Sequence, residues 1–184
     1  MKNHHFLTVT ACIIGLVVGS VSASDWSTSD GSCFQPGQKQ LTIGFNTWYP
    51  GPNVGFDMAF HDVISGGAAA GFNWWGLWTD SWAYFRIPIV VRAAFHPFNL
   101  KVLADKIPVR DRLDVYVGLG TGWSIGWVTW KGSDNVLRGS EPAVGGFTFR
   151  ERVGATWYFT PNFYANAEEG SGLGSLNLGI GFKF

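Results

Sequence analysis

Residues able to do chemistry are thinly spread in this chain: of 184 residues only 14% are charged, and the formal net charge is zero. A nucleophilic centre needs a hydroxyl or thiol with a base inside hydrogen-bond reach. Asp80 and Ser81 set a carboxylate beside a hydroxyl, but the histidines that would serve them, His61 and His96, fall at the far end of the strands laid out below. No catalytic residue is therefore assigned. A metal centre needs several His, Cys or carboxylate ligands converging on one point; His61 and His96 are isolated and the acids scattered, so neither a metal nor a cofactor is expected. The run Gly118-Leu119-Gly120-Thr121-Gly122 sits inside a strand pattern, where its glycines serve packing rather than phosphate binding. Zero net charge gives no reason to expect nucleic acid as a partner. What remains is a set of charges placed among small and apolar residues: Asp57, Arg86, Arg92, Asp114, Arg150, Arg152 and Glu168.

Those charges are positioned by a strict alternation. Residues 175–184 read SLNLGIGFKF, so Leu176, Leu178, Ile180, Phe182 and Phe184 leave one face and Asn177, Gly179, Gly181 and Lys183 the other. The same period marks seven further strands, at about 40–49, 54–64, 68–78, 82–96, 112–127, 146–160 and 162–169. Each is near the length that crosses an apolar band of about 25 Å at a steep tilt. One face is aliphatic and aromatic; the other is Gly, Ala, Asn and the charges. A soluble sandwich would put Lys, Glu and Thr on its wet face, whereas small residues with a few charges suit a narrow barrel interior. The expected fold is all-β, an eight-stranded antiparallel up-and-down transmembrane β-barrel over residues 39–184. The charges then face its lumen and should pair, since buried charges are costly alone. A tight turn at Pro161-Asn162 sets Glu168 opposite Gly154 and diagonal to Arg152.

Two residues break the pattern. Pro88 lies mid-strand without an N–H to donate, which predicts a bulge or local break. Glu151 falls on the lipid face, which places it near a headgroup level or signals a register slip of one residue. Turns near 65–67 and 160–162 and a long connection at 97–111 lie at the end that carries the C-terminus. The loops at the other end are 50–53, 78–82, 128–145 and 170–174. Loop 128–145 is the longest and combines Trp130 with Lys131, Asp134, Arg138 and Glu141, the mixture of aromatic anchor and polar rim that favours contact with an external ligand.

The N-terminus is of another kind. Lys2 precedes an apolar run from Phe6 to Val18, and Val21-Ser22-Ala23 supplies the small residues a signal peptidase requires, so residues 1–23 read as a secretory signal peptide. The run is shorter than the ~20 residues a membrane-spanning helix needs. Residues 24–38 are polar and turn-rich, and read as a flexible periplasmic leader. Cys12 leaves with the signal peptide, which leaves Cys33 as a free thiol in that leader. An exported chain with 10 Trp, 15 Phe and 25 Gly spreads its apolar character over alternating positions, as a membrane barrel does.

The terminal Phe184 with apolar residues at every second position behind it resembles the closing strand of bacterial outer-membrane barrels. The whole pattern resembles the small eight-stranded class that includes the OmpA transmembrane domain, OmpX and the Opa adhesins. That resemblance implies a Gram-negative outer-membrane location, contact with outer-membrane lipid, and recognition of Leu176, Leu178, Ile180, Phe182 and Phe184 by the barrel assembly machinery. It also implies a non-enzymatic protein with a structural or surface-interaction, adhesin-like role. Asp80-Ser81 resembles the Asp-Ser pair of the lipid A palmitoyltransferase, without its histidine. A lipid-modifying barrel enzyme, a narrow channel and a secreted soluble β-barrel binding protein stay open as alternatives.

Overall fold

In the computed structural model, residues 33–77, 82–104, 106–132, 144–170 and 176–184 are described. Alternation of large apolar with small or polar residues yields nine strands: β1 (Lys39–Asn46), β2 (Gly51–His61), β3 (Ile64–Gly71), β4 (Asn73–Trp75), β5 (Trp82–Phe95), β6 (Leu113–Trp130), β7 (Gly146–Tyr158), β8 (Phe163–Gly170) and β9 (Leu176–Lys183). Neighbours pair antiparallel in the order β3-β2-β1-β9-β8-β7-β6-β5-β4, and β3 pairs with β5 as well. β3 and β4 are two parts of one crossing, so the sheet closes into an eight-stranded barrel. First and last strands join through Leu41↔Phe182, Ile43↔Ile180 and Phe45↔Leu178. Closure removes the open edge that a sheet would otherwise carry.

The gap between β3 and β4 answers the expectation at Pro88. β5 runs beside β6 in unbroken register through Pro88↔Ser124, so no bulge forms there. On the other side the ladder stops at Ala70↔Ile89 and resumes at Asn73↔Arg86, which leaves Pro88 and its missing N–H beside the interruption. Phe72 and Trp74 donate their N–H groups to the carbonyls of Pro52 and Pro50, holding the crossing to the start of β2 and the residue just before it. Glu151 faces outward in register with Leu119, next to Arg152, where β7 pairs with Gly170 of β8; no slip occurs.

Apolar side chains cover the outside. Ile43, Ile89, Trp123, Ile125, Phe149 and Ile180 are all more than half exposed, which is the surface lipid would cover. Inside, Gly55 and Gly67 leave the space that the Arg92 and Asp57 side chains fill; a Cβ on Gly55 would meet the Arg92 guanidinium.

One turn differs from its sequence reading. The glycines at 66 and 67 mark a turn at 65–67 in sequence terms, yet the reversal comes earlier, at Asp62-Val63, and Ser65 already belongs to β3. Asn99 explains the shift: it is buried, and its side-chain amide donates to the carbonyl of Asp62 at 2.8 Å and of Phe34 at 3.1 Å. The connection 97–111 thus folds back as a 3-10 turn, Pro97–Asn99, and a short helix α1, Lys101–Ala104, with Leu100 buried beneath. It lies at the end where Phe184 and Lys39 exchange hydrogen bonds, and it helps to cap that end.

The segment read as a flexible leader is packed where it is described. Cys33 and Phe34 are buried, Gly37 donates to the Ala59 carbonyl, and Lys183 donates to the Cys33 carbonyl at 3.0 Å. Burial overrides the polar, turn-rich composition, because Phe34 stacks on the imidazole of His96 with 3.7 Å between ring centroids. The earlier part of that segment and residues 1–23 lie outside the described residues.

The wall is uneven in height. β5 and β6 have 14 and 18 residues, whereas β1, β8 and β9 have 8 each.

Candidate functional site

Even spacing along each strand brings Asp57 of β2, Arg92 of β5, Arg152 of β7 and Glu168 of β8 into the lumen at one level. Arg92 grips Asp57 with two nitrogens, Nε to Oδ1 at 3.0 Å and Nη2 to Oδ2 at 2.5 Å. Its Nη1 reaches Glu168 at 3.4 Å. Arg152 Nε donates to Glu168 Oε2 at 2.6 Å, and its Nη2 lies 3.4 Å from Asp57 Oδ2. Each carboxylate therefore meets both guanidinium groups, and two positive charges balance two negative ones. β2 and β7 stand four places apart in a ring of eight crossings, so the Arg152–Asp57 contact crosses the full lumen.

Neutral groups complete the cluster. Tyr116 of β6 donates its hydroxyl to Glu168 Oε2 at 2.7 Å and receives the Asn166 amide at 2.7 Å. Its ring also faces the Arg152 guanidinium, 4.6 Å away. The charged side chains are only 2–8% exposed. Opposite charges at this depth are stable only when every lone pair and N–H finds a partner, and this arrangement supplies a nearly complete set.

Asp114 is not part of that cluster, contrary to the single network expected from sequence. It sits nearer the capped end, 2.8 Å from His96 Nδ1, while His96 Nε2 lies 2.8 Å from Ser65 Oγ. Acid, imidazole and hydroxyl stand in the order used by serine hydrolases. Ser65, His96 and Asp114 are each less than 5% exposed, and Phe34 lies flat on the imidazole, so the hydroxyl has no approach for a substrate. The sequence held the signal: Ser65 and His96 share the lumen parity once β3 begins at Ile64. Placing a turn at 65–67 hid it.

Known proteins now bear on the fold. No protein-family model matches the chain, and no curated protein sequence matches it. Among solved structures, the outer membrane protein OprG from Pseudomonas aeruginosa aligns with a TM-score of 0.58 at 12% identity, covering 83% of this chain and 99% of OprG. Ail, the attachment invasion locus protein of Yersinia pestis, aligns with a TM-score of 0.52 at 15% identity, covering 82% of this chain and all of Ail. The same protein in complex with the heparin analogue sucrose octasulfate gives 0.50 at 14% identity, with 82% and 100% covered. This chain has the fold of the small eight-stranded outer-membrane barrels.

In such a barrel the loop end lies opposite the chain ends, and Arg86 and Arg150 are found there rather than in the lumen cluster. Arg86 is six residues from Arg92 along β5, about 20 Å at the usual rise per residue, too far to share its partners. Both arginines line a cavity of about 320 Å³ with Tyr49, Trp75 and Ser124. Trp130 ends β6 instead of lying in a free loop, and its ring meets Trp82 edge-on at 5.1 Å. Lys131 donates to the Gly76 carbonyl. Asp134, Arg138 and Glu141, like Asp80 and Ser81, lie outside the described residues. On β9, Leu176, Leu178, Ile180 and Phe182 face outward as one apolar row, with Phe184 just beyond them. Among the described residues no three His, Cys, Asp or Glu side chains converge as metal ligands.

Proposed function

We propose that this protein is an integral outer-membrane barrel with a closed lumen and a non-enzymatic, structural or surface-contact role. The observation that carries this reading is the four-residue ion cluster, which joins opposite walls and leaves the charges nearly without solvent. A pore needs a continuous wet path, and a packed, charge-balanced crossing favours a plug. The buried Ser65–His96–Asp114 chain is the one feature that favours catalysis, and its enclosure behind Phe34 weighs against that role. Export by residues 1–23, contact with outer-membrane lipid through the apolar outer face, and insertion by the assembly machinery complete the proposal. The chain ends then face the periplasm and loop 128–145 faces outward, where an extracellular ligand would meet it. The likeness in fold to Ail, named for attachment and invasion, supports the surface-contact reading.

Conductance tests the closed lumen. Purified barrel reconstituted in a planar lipid bilayer should carry no steady current; ion-selective channels from the unaltered protein would refute the plug. Trimming 131–141 to a short Gly-containing turn tests the loop. An assembled barrel that adheres unchanged to its surface would remove the loop from the proposal.

A further inference from the structure

At the capped end a cavity of about 320 Å³ is lined by Asp111, Arg112, Tyr158, Lys183 and the β7–β8 turn from Phe159 to Pro161. Neither the ion cluster nor the Ser65–His96–Asp114 chain uses these residues. Asp111 and Arg112 stand 3.7 Å apart at the rim, 60% and 67% exposed, and balance each other's charge. That separation is too long for a hydrogen bond, so the Arg112 guanidinium keeps its N–H donors for a ligand. Lys183 is placed differently. It is half-buried, it donates to the Cys33 carbonyl at 3.0 Å, and its Nζ lies 4.9 Å from the centre of the Tyr158 ring. Both partners are neutral, and among the described residues no carboxylate forms an ion pair with Lys183. A half-buried ammonium without a counter-charge costs free energy unless an anion arrives to pair with it.

The lining thus carries one unbalanced positive charge, and a phosphodiester supplies the single negative charge and the oxygen acceptors that match it. The wall beside the cavity indicates what the phosphodiester is attached to. Phe159 lines the cavity and is 60% exposed. Its ring lies 5.8 Å from that of Phe163, which lies 5.3 Å from that of Phe182, so an aromatic row leads from the rim onto the outward face of β8 and β9. Aromatic rows of this kind mark the level where lipid headgroups meet acyl chains. The cavity is at the lower limit for small-molecule pockets, so a headgroup fits inside while acyl chains stay outside along that row.

We propose that this cavity holds the headgroup of phosphatidylglycerol from the periplasmic leaflet. The phosphodiester sits between Lys183 and Arg112, Asp111 accepts from the glycerol hydroxyls, and the acyl chains lie over Phe159 and Phe163. One phosphodiester cancels the one unpaired charge, whereas the ammonium of phosphatidylethanolamine would restore it. The proposal rests on the reading of the chain as an outer-membrane barrel with its ends in the periplasm.

Native mass spectrometry of the folded full-length barrel, released from neutral detergent, tests it, with assembly checked by heat-modifiable gel mobility. Dioctanoyl phosphatidylglycerol should bind one-to-one and about ten-fold more tightly than dioctanoyl phosphatidylethanolamine or phosphatidylcholine. Glycerophosphoglycerol, the same headgroup without acyl chains, should bind about ten-fold more weakly than the lipid. Lys183→Gln, which can still donate to the Cys33 carbonyl, and Arg112→Gln at the exposed rim should each assemble and lose most of the preference for phosphatidylglycerol. Phe159→Ala should weaken the lipid and leave glycerophosphoglycerol unchanged. Equal binding of the three lipids, or a preference that survives in assembled Lys183→Gln and Arg112→Gln, would overturn the assignment. So would glycerophosphoglycerol bound as tightly as the lipid, which would make the site one for a soluble phosphodiester. Fractionation separates this proposal from the reading beneath it: a barrel that sediments with outer membranes yet shows no lipid preference fails the cavity alone, whereas a chain recovered in the soluble periplasm fails the membrane reading.

Discussion

Arg152 and Glu168 meet because a hairpin of fixed register puts Glu168 opposite Gly154, and a diagonal neighbour lies within reach of a long side chain. Removing either partner strands a charge in a site with almost no solvent. Arg152→Met or Glu168→Leu alone should cost about 3–5 kcal/mol, and the double variant much less, because the remaining Asp57–Arg92 pair is neutral as a unit. Urea unfolding in lipid vesicles measures the cycle; additive losses would show that the two residues do not act together. Cys33 gives a pH prediction. Burial, reinforced by Asp114, pushes its thiol up to about 12 from 9.0. The folded state favours the neutral thiol, so this contribution to stability is fully present below about pH 9 and is lost as pH rises through 12. At pH 8, iodoacetamide should label Cys33 slowly in the folded barrel and rapidly in urea; equal rates would contradict its burial. At this scale the sequence was only partly legible. Parity along a strand tells which residues face inward, but their height in the lumen depends on tilt and closure. Parity therefore groups Asp114 with the arginines and gives no sign of the Tyr116–Asn166 support.

At the scale of elements, β9 shows how much alternation alone can fix. Its outward row Leu176, Leu178, Ile180 and Phe182 pairs with β1 on one side and β8 on the other, closing the barrel. Phe184 itself adds two backbone hydrogen bonds to Lys39, a small part of that closure. Deleting Phe184 should therefore slow insertion far more than it weakens the finished barrel. Pulse-labelled protein should accumulate unassembled in the periplasm, whereas insertion at the normal rate would remove the assembly role of the terminal residue. The strands were legible because each has a polar and an apolar face; the capping segments were not, because they have no period. Phe34 is an isolated aromatic in a polar stretch, and its burial depends on Asn99, Leu100 and His96 arriving from elsewhere in the chain. Phe34→Ala should cost about 3 kcal/mol or more and should speed alkylation of Cys33, its neighbour. A variant as stable and as slowly labelled as the original would mean that the cap is held by other contacts.

For the whole molecule, the uneven wall decides how the barrel sits in lipid. At about 3.3 Å per residue and a tilt near 40°, a strand of eight residues rises about 20 Å, less than an apolar band of about 25 Å. β5 and β6, with 14 and 18 residues, overtop that band, while β1, with 8, falls short of it. Lipid beside the short strand must compress, and lipid beside the tall ones need not. The barrel is in effect a wedge that imposes a thickness gradient around its own circumference.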